Sequence, residues 1–336
     1  MREAWPTFEM VEDAATRIRD ITNRTPVVPS FGLSRLAGAD VRLKLESTQP
    51  TRAFKVRGAA NVILSHDDID PSLGVVSYST GNHGRAVTYV AGKLGLPATV
   101  CMSHNTTRDK QDSLRAMGAD VRLTGESQDE AAELAAKLES EGYVMVDPIN
   151  DRLTTAGQGT IGIELVEQWP EVDTVVVPVS GGALMAGVAL AVKTQKPDTR
   201  VVGVSMDRGA AMYQSIQAGR PIAVPEVESL ADSLQGGIGL DNDHSFQMVR
   251  ELVDDLVLVT EDQIAVAMAE AVIEERMVLE GAGATPIAAL LYEDRSLFGD
   301  RIALIASGAM VDVSALVKVL EEHRGSATRL LDGERA

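Results

Sequence analysis

The sequence predicts an α/β fold of open parallel sheets flanked by helices. Short β-rich runs alternate with longer helical patterns, two apolar runs pass through glycine-bearing turns directly into helices, and 336 residues suffice for about two domains. In chain order, strands are expected at 41–46, 74–79, 97–102, 120–123, 143–146, 174–179, 201–205, 256–259 and 302–306, short runs rich in β-forming residues. Helices are expected at 55–65, 82–94, 108–117, 128–138, 160–168, 183–194, 261–274 and 313–322, where the patterns are longer and helical. Ser127 serves as N-cap of the acidic helix that follows it, its hydroxyl accepting from the first-turn amides. Four strands fall between 74 and 146, which predicts a small domain over 49–146. Residues 1–48 plus 147–325 then form the larger domain, and the polar stretch 326–336 is expected to be a disordered tail.

Apolar residues are 45% and charged residues 24% of the chain, a globular balance that excludes a disordered or fibrous protein. With 49 acidic against 31 basic residues the net charge is −18. Such a field repels nucleic acid and anionic membrane surfaces, so the expected partner is a small molecule. No apolar run approaches the ~20 residues of a membrane helix, and residues 1–6 lack the apolar stretch of a signal peptide; a cytoplasmic protein is expected. The single cysteine, Cys101, lies in an apolar run and reads as a buried small hydrophobe.

Four local patterns carry chemistry. Thr51-Arg52-Ala53-Phe54-Lys55-Val56-Arg57-Gly58-Ala59 places a lysine beside an aromatic ring at the start of an amphipathic helix. Alone, such a lysine reads as a solvated charge; desolvated, it is an amine nucleophile toward an aldehyde. At Ser79-Thr80-Gly81-Asn82-His83-Gly84 a strand runs into a helix, and the free amides, two hydroxyls and a carboxamide suit a carboxylate; the same residues also read as a capping turn. At Ser180-Gly181-Gly182-Ala183-Leu184 adjacent glycines either let backbone amides approach an anion or permit tight helix–sheet packing. The turn lacks the lysine and spacing of a nucleotide P-loop, so a phosphate monoester fits it better. The last strand presents Ser307 at its carboxyl end, where ligands collect in open α/β sheets, although a helix-start cap is an equally local reading. Together these patterns describe a site for a phosphorylated aldehyde cofactor, pyridoxal phosphate.

Other patterns are weighed and set aside. Gly157-Gln158-Gly159-Thr160-Ile161-Gly162 matches the dinucleotide fingerprint, but no apolar strand leads into it and the acid expected about 20 residues later is missing, so NAD is rejected. His66, His104, His244 and His323 show no paired ligand spacing and are expected on surfaces or loops; no metal site is predicted. Glu226, Glu228 and Asp232 are expected to face solvent. Glu280, among small apolar residues before a helix, reads either as a contact of the cofactor site or as a helix-capping acid.

The ordered motifs Ala53-Phe54-Lys55-Val56-Arg57-Gly58-Ala59, Ser79-Thr80-Gly81-Asn82-His83-Gly84, Ala156-Gly157-Gln158-Gly159-Thr160, Ser180-Gly181-Gly182-Ala183-Leu184 and Ser307-Gly308 resemble those of the fold-type II pyridoxal-phosphate enzymes. The resemblance is to the threonine/serine dehydratase and serine racemase family, whose fold is tryptophan synthase β-like, with two open parallel-sheet domains and the cofactor in the cleft between them. It spans residues 25 to about 320. It implies that Lys55 bonds covalently to the cofactor and takes the α-proton, that Phe54 packs beside the ring, and that Asn82 hydrogen-bonds the phenolic oxygen. Ser180, Gly181, Gly182, Ala183 and Leu184 would hold the phosphate, and Ser307 would be the neutral partner of the pyridine nitrogen. Ser79, Thr80, Gly81, Asn82 and His83 would bind the substrate carboxylate. The implied activity is that of a homodimeric dehydratase (ammonia-lyase), eliminating the β-hydroxyl of a hydroxy-amino acid to leave a 2-oxo acid and ammonia. A racemase or β-replacement enzyme of the same fold is the alternative, and an amino-acid sensor is the non-enzymatic one.

Departures from the family pattern bear on substrate. Thr80 stands where racemases carry a serine acid/base, Ala53 replaces a serine, Ser180 and Ala183 replace two glycines, and Met310 replaces an asparagine. Ser205 and Ala211 stand where many relatives supply metal-binding acids, so no divalent cation is expected there. The turn Ser79-Thr80-Gly81-Asn82-His83-Gly84-Arg85-Ala86-Val87 is similar to that of dehydratases associated with hydroxyectoine utilisation, which suggests a ring-opened, osmolyte-derived hydroxy-diamino acid as a further substrate class.

Overall fold

The computed structural model describes residues 5–331 except 80 and 243. Among these residues the strands are β1 (Val27–Pro29), β2 (Asp40–Lys44), β3 (Val75–Tyr78), β4 (Ala98–Met102), β5 (Asp120–Leu123), β6 (Val144–Met145), β7 (Thr174–Pro178), β8 (Arg200–Met206), β9 (Asp255–Val259) and β10 (Arg301–Ile305). A six-stranded sheet has the order β1-β2-β10-β7-β8-β9 and is parallel except at one edge, where β1 pairs antiparallel with β2. A four-stranded sheet, β5-β4-β3-β6, is parallel throughout. Each of the nine expected strands forms, with ends shifted by at most two residues. The antiparallel β1 was not expected; it is a three-residue edge strand ending in Pro29, too short to show a period.

Alternate residues of the central strands enter different cores. Leu43, Val176, Val202 and Leu304 pack on one side, and Val175, Val177, Val201, Ala303 and Ile305 on the other. This is the burial of a parallel sheet covered by helices on both faces. Cys101 is buried in β4, and burial pushes its thiol up to about 11.

Four expectations are corrected. The helix expected from residue 160 begins at Arg152, where the Asp151 carboxylate accepts from the Thr154 N–H at 2.5 Å. The glycines 157, 159 and 162 therefore lie inside a helix, where they allow close packing. A Cβ on Gly157 would lie 2.7 Å from the Arg57 carbonyl, one on Gly159 would meet Val11 and Gly187, and one on Gly162 would meet Ala191. His244 is not a surface residue: it is buried at the start of the helix Ser245–Leu252, 3.3 Å from Thr155 Oγ1, and burial lowers its pKa. The C-terminal helix Val313–Leu331 runs past residue 326, so the expected tail is helical as far as residue 331; residues 332–336 lie outside the described residues. The helices Phe8–Ile18, Phe31–Ala37, Ala211–Ala218 and Ser245–Leu252 were not expected at all. Ser127 does cap its helix, with Glu130 completing a capping box. No helix of the described residues is long and apolar enough to cross a membrane.

Glu270, in the helix Glu261–Ile273, is buried with neither carboxylate oxygen hydrogen-bonded among the described residues. Burial, with Glu274 and Glu275 nearby, pushes its pKa up to about 7. The native state then holds this proton to about pH 7 while the unfolded chain releases it near 4.5, so stability falls as pH rises through that window. Glu270→Met is expected to raise stability at pH 8 by about 1–3 kcal/mol and to remove that part of the pH dependence. Thermal melts of both proteins at pH 5 and pH 8 check this; an equal difference at the two pH values would contradict it.

Candidate active site

Lys55 directly precedes the helix Val56–Ile63, half-buried, with its Nζ 3.2 Å from the Pro148 carbonyl and 5.3 Å from the centre of the Phe54 ring. Desolvation brings its pKa down to about 8, against the opposing charge of Asp147. A substantial fraction of this amine is therefore neutral, and nucleophilic, near physiological pH. The turn that carries it is stapled to the end of β10: the Phe54 N–H donates to the Ser307 carbonyl at 3.0 Å, and Ala53 bridges Gly308. Ser307 is buried at that strand end, with no helix beginning there, which removes the capping alternative.

A buried ion cluster fixes the Lys55 helix to the large sheet. Arg57 grips Glu46 through Nε at 2.7 Å and Nη2 at 2.9 Å, and Glu164 through Nη1 at 2.7 Å and Nη2 at 2.9 Å. Lys44 Nζ reaches Glu164 at 2.5 Å and the Thr25 carbonyl at 2.7 Å. Burial penalises the Glu46 charge, yet the charge and hydrogen bonds of Arg57 outweigh it and hold that carboxyl below its ordinary range.

The turn after β3 brings Ser79, Gly81, Asn82 and His83 to the same cleft; Thr80 lies outside the described residues. The Gly81 N–H donates to Ser79 Oγ at 3.2 Å and opens the helix Asn82–Leu94. His83 is buried with Nε2 2.9 Å from the Val146 carbonyl, so Nε2 carries the proton, and Nδ1, an acceptor, has no partner among the described residues. Burial and the Lys55 charge drive its pKa down to about 3, so it stays neutral. Asn82 Nδ2 donates to Glu280 at 2.8 Å, and the buried Asn82 Oδ1 has no partner among the described residues.

Of the two readings of Glu280, the structure removes the helix-capping one. Its side chain does not cap the helix Gly281–Tyr292; it accepts from Asn82, from Ser233 Oγ at 3.1 Å and from the Met310 N–H at 2.9 Å. Burial still pushes its carboxyl above the ordinary value despite these donors. A Cβ at position 308 would sit 2.7 Å from this carboxylate, which is why Gly308 follows Ser307.

After β7, Ser180, Gly181 and Gly182 lead into the helix Ala183–Gln195, whose first amides, those of Ala183 and Leu184 included, have no intrahelical partner. Gly182 has φ +104°, and a Cβ there would strike Met212 and Ser245. The Gly181 carbonyl accepts from Ser245 Oγ at 2.9 Å and from Asn242 Nδ2 at 3.3 Å. Gly181 packs against Ile149, next to the Pro148 that meets Lys55, so the turn and the amine share one cleft.

Asp147, Asn242 and Ser245 were missed from the sequence. Asp147 Oδ1 accepts from the Ile149 and Asn150 amides at 2.7 and 2.8 Å, and its Oδ2 takes the Tyr78 hydroxyl at 3.0 Å. The one signal for it was Asp147-Pro148 directly after an apolar strand. Ser205 and Ala211 are both buried, at β8 and at the start of the helix Ala211–Ala218. Among the described residues no cluster of three or more His, Cys, Asp or Glu is placed to hold a metal ion.

These residues fit a phosphorylated pyridine aldehyde. The cleft offers a partly neutral amine for the aldehyde, a helix N-terminus opened by two glycines for a phosphate, an Asn82 oxygen with no partner among the described residues, and a buried hydroxyl at Ser307. Comparison with known proteins agrees. The family model for pyridoxal-phosphate dependent enzymes matches residues 18–308. A Sinorhizobium fredii protein named "Putative threonine dehydratase" is 46% identical over 94% of this chain and 98% of its own. An L-threonine ammonia-lyase of Geobacter sulfurreducens is 35% identical over 96% of this chain and 80% of its own. Maize serine racemase superposes with a TM-score of 0.87 at 32% identity, covering 96% of this chain and 99% of that one. The chain belongs to the pyridoxal-phosphate dependent enzymes of fold type II, within the group that holds the threonine dehydratases and serine racemases.

Proposed function

We propose that the protein is a pyridoxal-phosphate dependent lyase that removes the β-hydroxyl of a free hydroxy-amino acid and releases ammonia and a 2-oxo acid. The observation that carries this reading is the desolvated Lys55 amine set between the Phe54 ring, the Pro148 carbonyl and the end of β10. The cofactor, when bound, supplies an electron sink for the bond broken at the α-carbon. Lys55 holds the cofactor and, once released from it, takes the α-proton. Ser79, Gly81, Asn82 and His83 orient the substrate carboxylate, with Thr80 as a further hydroxyl. His83 offers the carboxylate its main-chain N–H at the helix start; its neutral ring, committed through Nε2 to the Val146 carbonyl, does not act as an acid. Ser180 to Leu184 hold the phosphate. Glu280 keeps Asn82 oriented toward the ring. Ser307 meets the ring nitrogen with a neutral hydroxyl, which limits carbanion stabilisation and favours prompt loss of the leaving group.

In this reading residues 1–48 with 147–325 form the cofactor-binding domain and 49–146 the smaller one, in a homodimer. Relatives named as threonine dehydratase and threonine ammonia-lyase support a threonine- or serine-like substrate; an osmolyte-derived diamino acid is the finer alternative that the Ser79–Val87 turn suggested. Reconstituted protein is expected to form 2-oxo acid and ammonia in equal amounts from at least one of L-threonine, L-serine, 3-hydroxyaspartate or a hydroxylated diamino acid. Full cofactor loading with only L-to-D interconversion would replace the lyase reading by a racemase.

A further inference from the structure

Four consecutive residues after β6, Val146 to Ile149, touch three parts of the cleft. The Val146 carbonyl accepts from His83 Nε2 at 2.9 Å and from Ser77 Oγ at 2.8 Å, which ties it to β3 and the turn that follows. The Pro148 carbonyl meets Lys55 Nζ at 3.2 Å. Ile149 packs against the glycine turn, where a Cβ on Gly181 would lie 2.7 Å from its Cγ2. These four residues belong to no helix or strand, so no continuous ladder sets where their groups point.

The Asp147 side chain sets it instead. Its Oδ1 accepts from the Ile149 N–H at 2.7 Å and the Asn150 N–H at 2.8 Å, closing a turn around Pro148. The Ile149 N–H and the Pro148 carbonyl belong to one trans peptide, in which they point opposite ways. Holding that N–H on Asp147 therefore aims the carbonyl at Lys55. Asp147 Oδ2 accepts from the hydroxyl of Tyr78, the last residue of β3, at 3.0 Å, and the Asp147 carbonyl accepts from Thr154 Oγ1 at 2.8 Å. The turn is thus anchored both to the small sheet and to the helix Arg152–Gln168. The Asp147 charge also bears on Lys55, opposing the desolvation that lowers its pKa. Other titratable groups lie nearby. Burial keeps His83 neutral, pushes the Asp151 carboxyl above its ordinary value and lowers the His244 pKa.

We propose that Asp147 is a positioning residue that aims the Pro148 carbonyl at the Lys55 amine and seats Ile149 against the Gly181 turn. This rests on Lys55 being the amine that captures the cofactor. The test follows capture of pyridoxal phosphate by the full-length protein, freed of cofactor, by absorbance across the neutral to alkaline range. Wild type is compared with Asp147→Asn, Asp147→Ala and Tyr78→Phe. Asparagine keeps the turn, its Oδ1 accepting from the two amides and its Nδ2 donating to the Tyr78 oxygen, but loses the charge. Its high-pH rate is expected to stay near wild type while the midpoint moves below the wild-type value of about pH 8, since the charge that raised the Lys55 pKa is gone. Asp147→Ala loses the turn as well, and its high-pH rate is expected to fall about tenfold or more. Tyr78→Phe removes one anchor and leaves the charge, so its high-pH rate is expected to fall about threefold with the midpoint unmoved; it tests the frame even where Asp147→Ala does not fold. A merely structural role lowers rates without moving the Asp147→Asn midpoint, so a midpoint fixed at the wild-type pH overturns the assignment. High-pH rates of Asp147→Ala or Tyr78→Phe equal to wild type overturn it too. A wild-type adduct on a residue other than Lys55 overturns both this assignment and the lysine reading. The expected Asp147 dependence of capture, with no ammonia released from any hydroxy-amino acid, upholds the assignment and overturns the lyase reading alone.

Discussion

Lys55→Ala is expected to abolish covalent capture of pyridoxal phosphate and to lower turnover at least about ten-thousand-fold, because one side chain serves as both nucleophile and base. Its neighbours cannot substitute for it. His83 is neutral and held by the Val146 carbonyl, and Arg57 is bound into the ion cluster. Borohydride reduction followed by peptide mass analysis locates the adduct, and label on any residue other than Lys55 would refute the assignment. The pH dependence of capture follows from the same group. Only the neutral amine attacks, and burial brings the Lys55 pKa down to about 8, so the capture rate is expected to rise through about pH 8 and level off above it.

Arg57→Met is expected to destabilise the protein by about 3–5 kcal/mol. The cluster is balanced, with Lys44 and Arg57 against Glu46 and Glu164, and all four side chains are buried or nearly so. Losing Arg57 leaves one uncompensated negative charge where water cannot reach it. The loss is also expected to loosen Lys55, which begins the same helix, so cofactor affinity falls with stability. Adding Glu46→Met to Arg57→Met restores charge balance and is expected to recover part of the loss. Urea unfolding of the three proteins checks this; a double variant no more stable than Arg57→Met would show that packing, not charge, sets the penalty. Glu46 is held below its ordinary pKa, so the cluster's contribution is present above the ordinary carboxylate range and lost as pH falls through the depressed native value.

Much of the architecture was legible in the chain because it is written in short-range patterns. The helix Asn82–Leu94 appears with the ends expected of it, and Ser127 caps the helix it precedes. The turns at Ser180-Gly181-Gly182 and Ser307-Gly308 stand at the carboxyl ends of β7 and β10, as strand-then-turn order implied. Each of these depends on residues within a few positions of one another, where periodicity and capping chemistry act. The short helices Phe31–Ala37, Ala211–Ala218 and Ser245–Leu252 escaped because seven or eight residues span barely two turns of any period.

The tertiary structure alone decided what distant residues do to one another. Glycines 157, 159 and 162 match a nucleotide fingerprint in sequence, and only the helices packed against them show that they make room for neighbouring backbone. Glu280 meets Asn82 across 198 residues of chain, and Arg57 meets Glu164 across 107. The sequence by itself determined nine of the ten described strands, most of the longer helices, and that a lysine, a glycine turn and a serine stand at strand or helix ends. The fold decided that these ends share one cleft, that burial there lowers the Lys55 pKa, and which buried charges neutralise one another. The physical reason is range: propensity and capping are set by neighbours in the chain, whereas desolvation and ion pairing are set by neighbours in space.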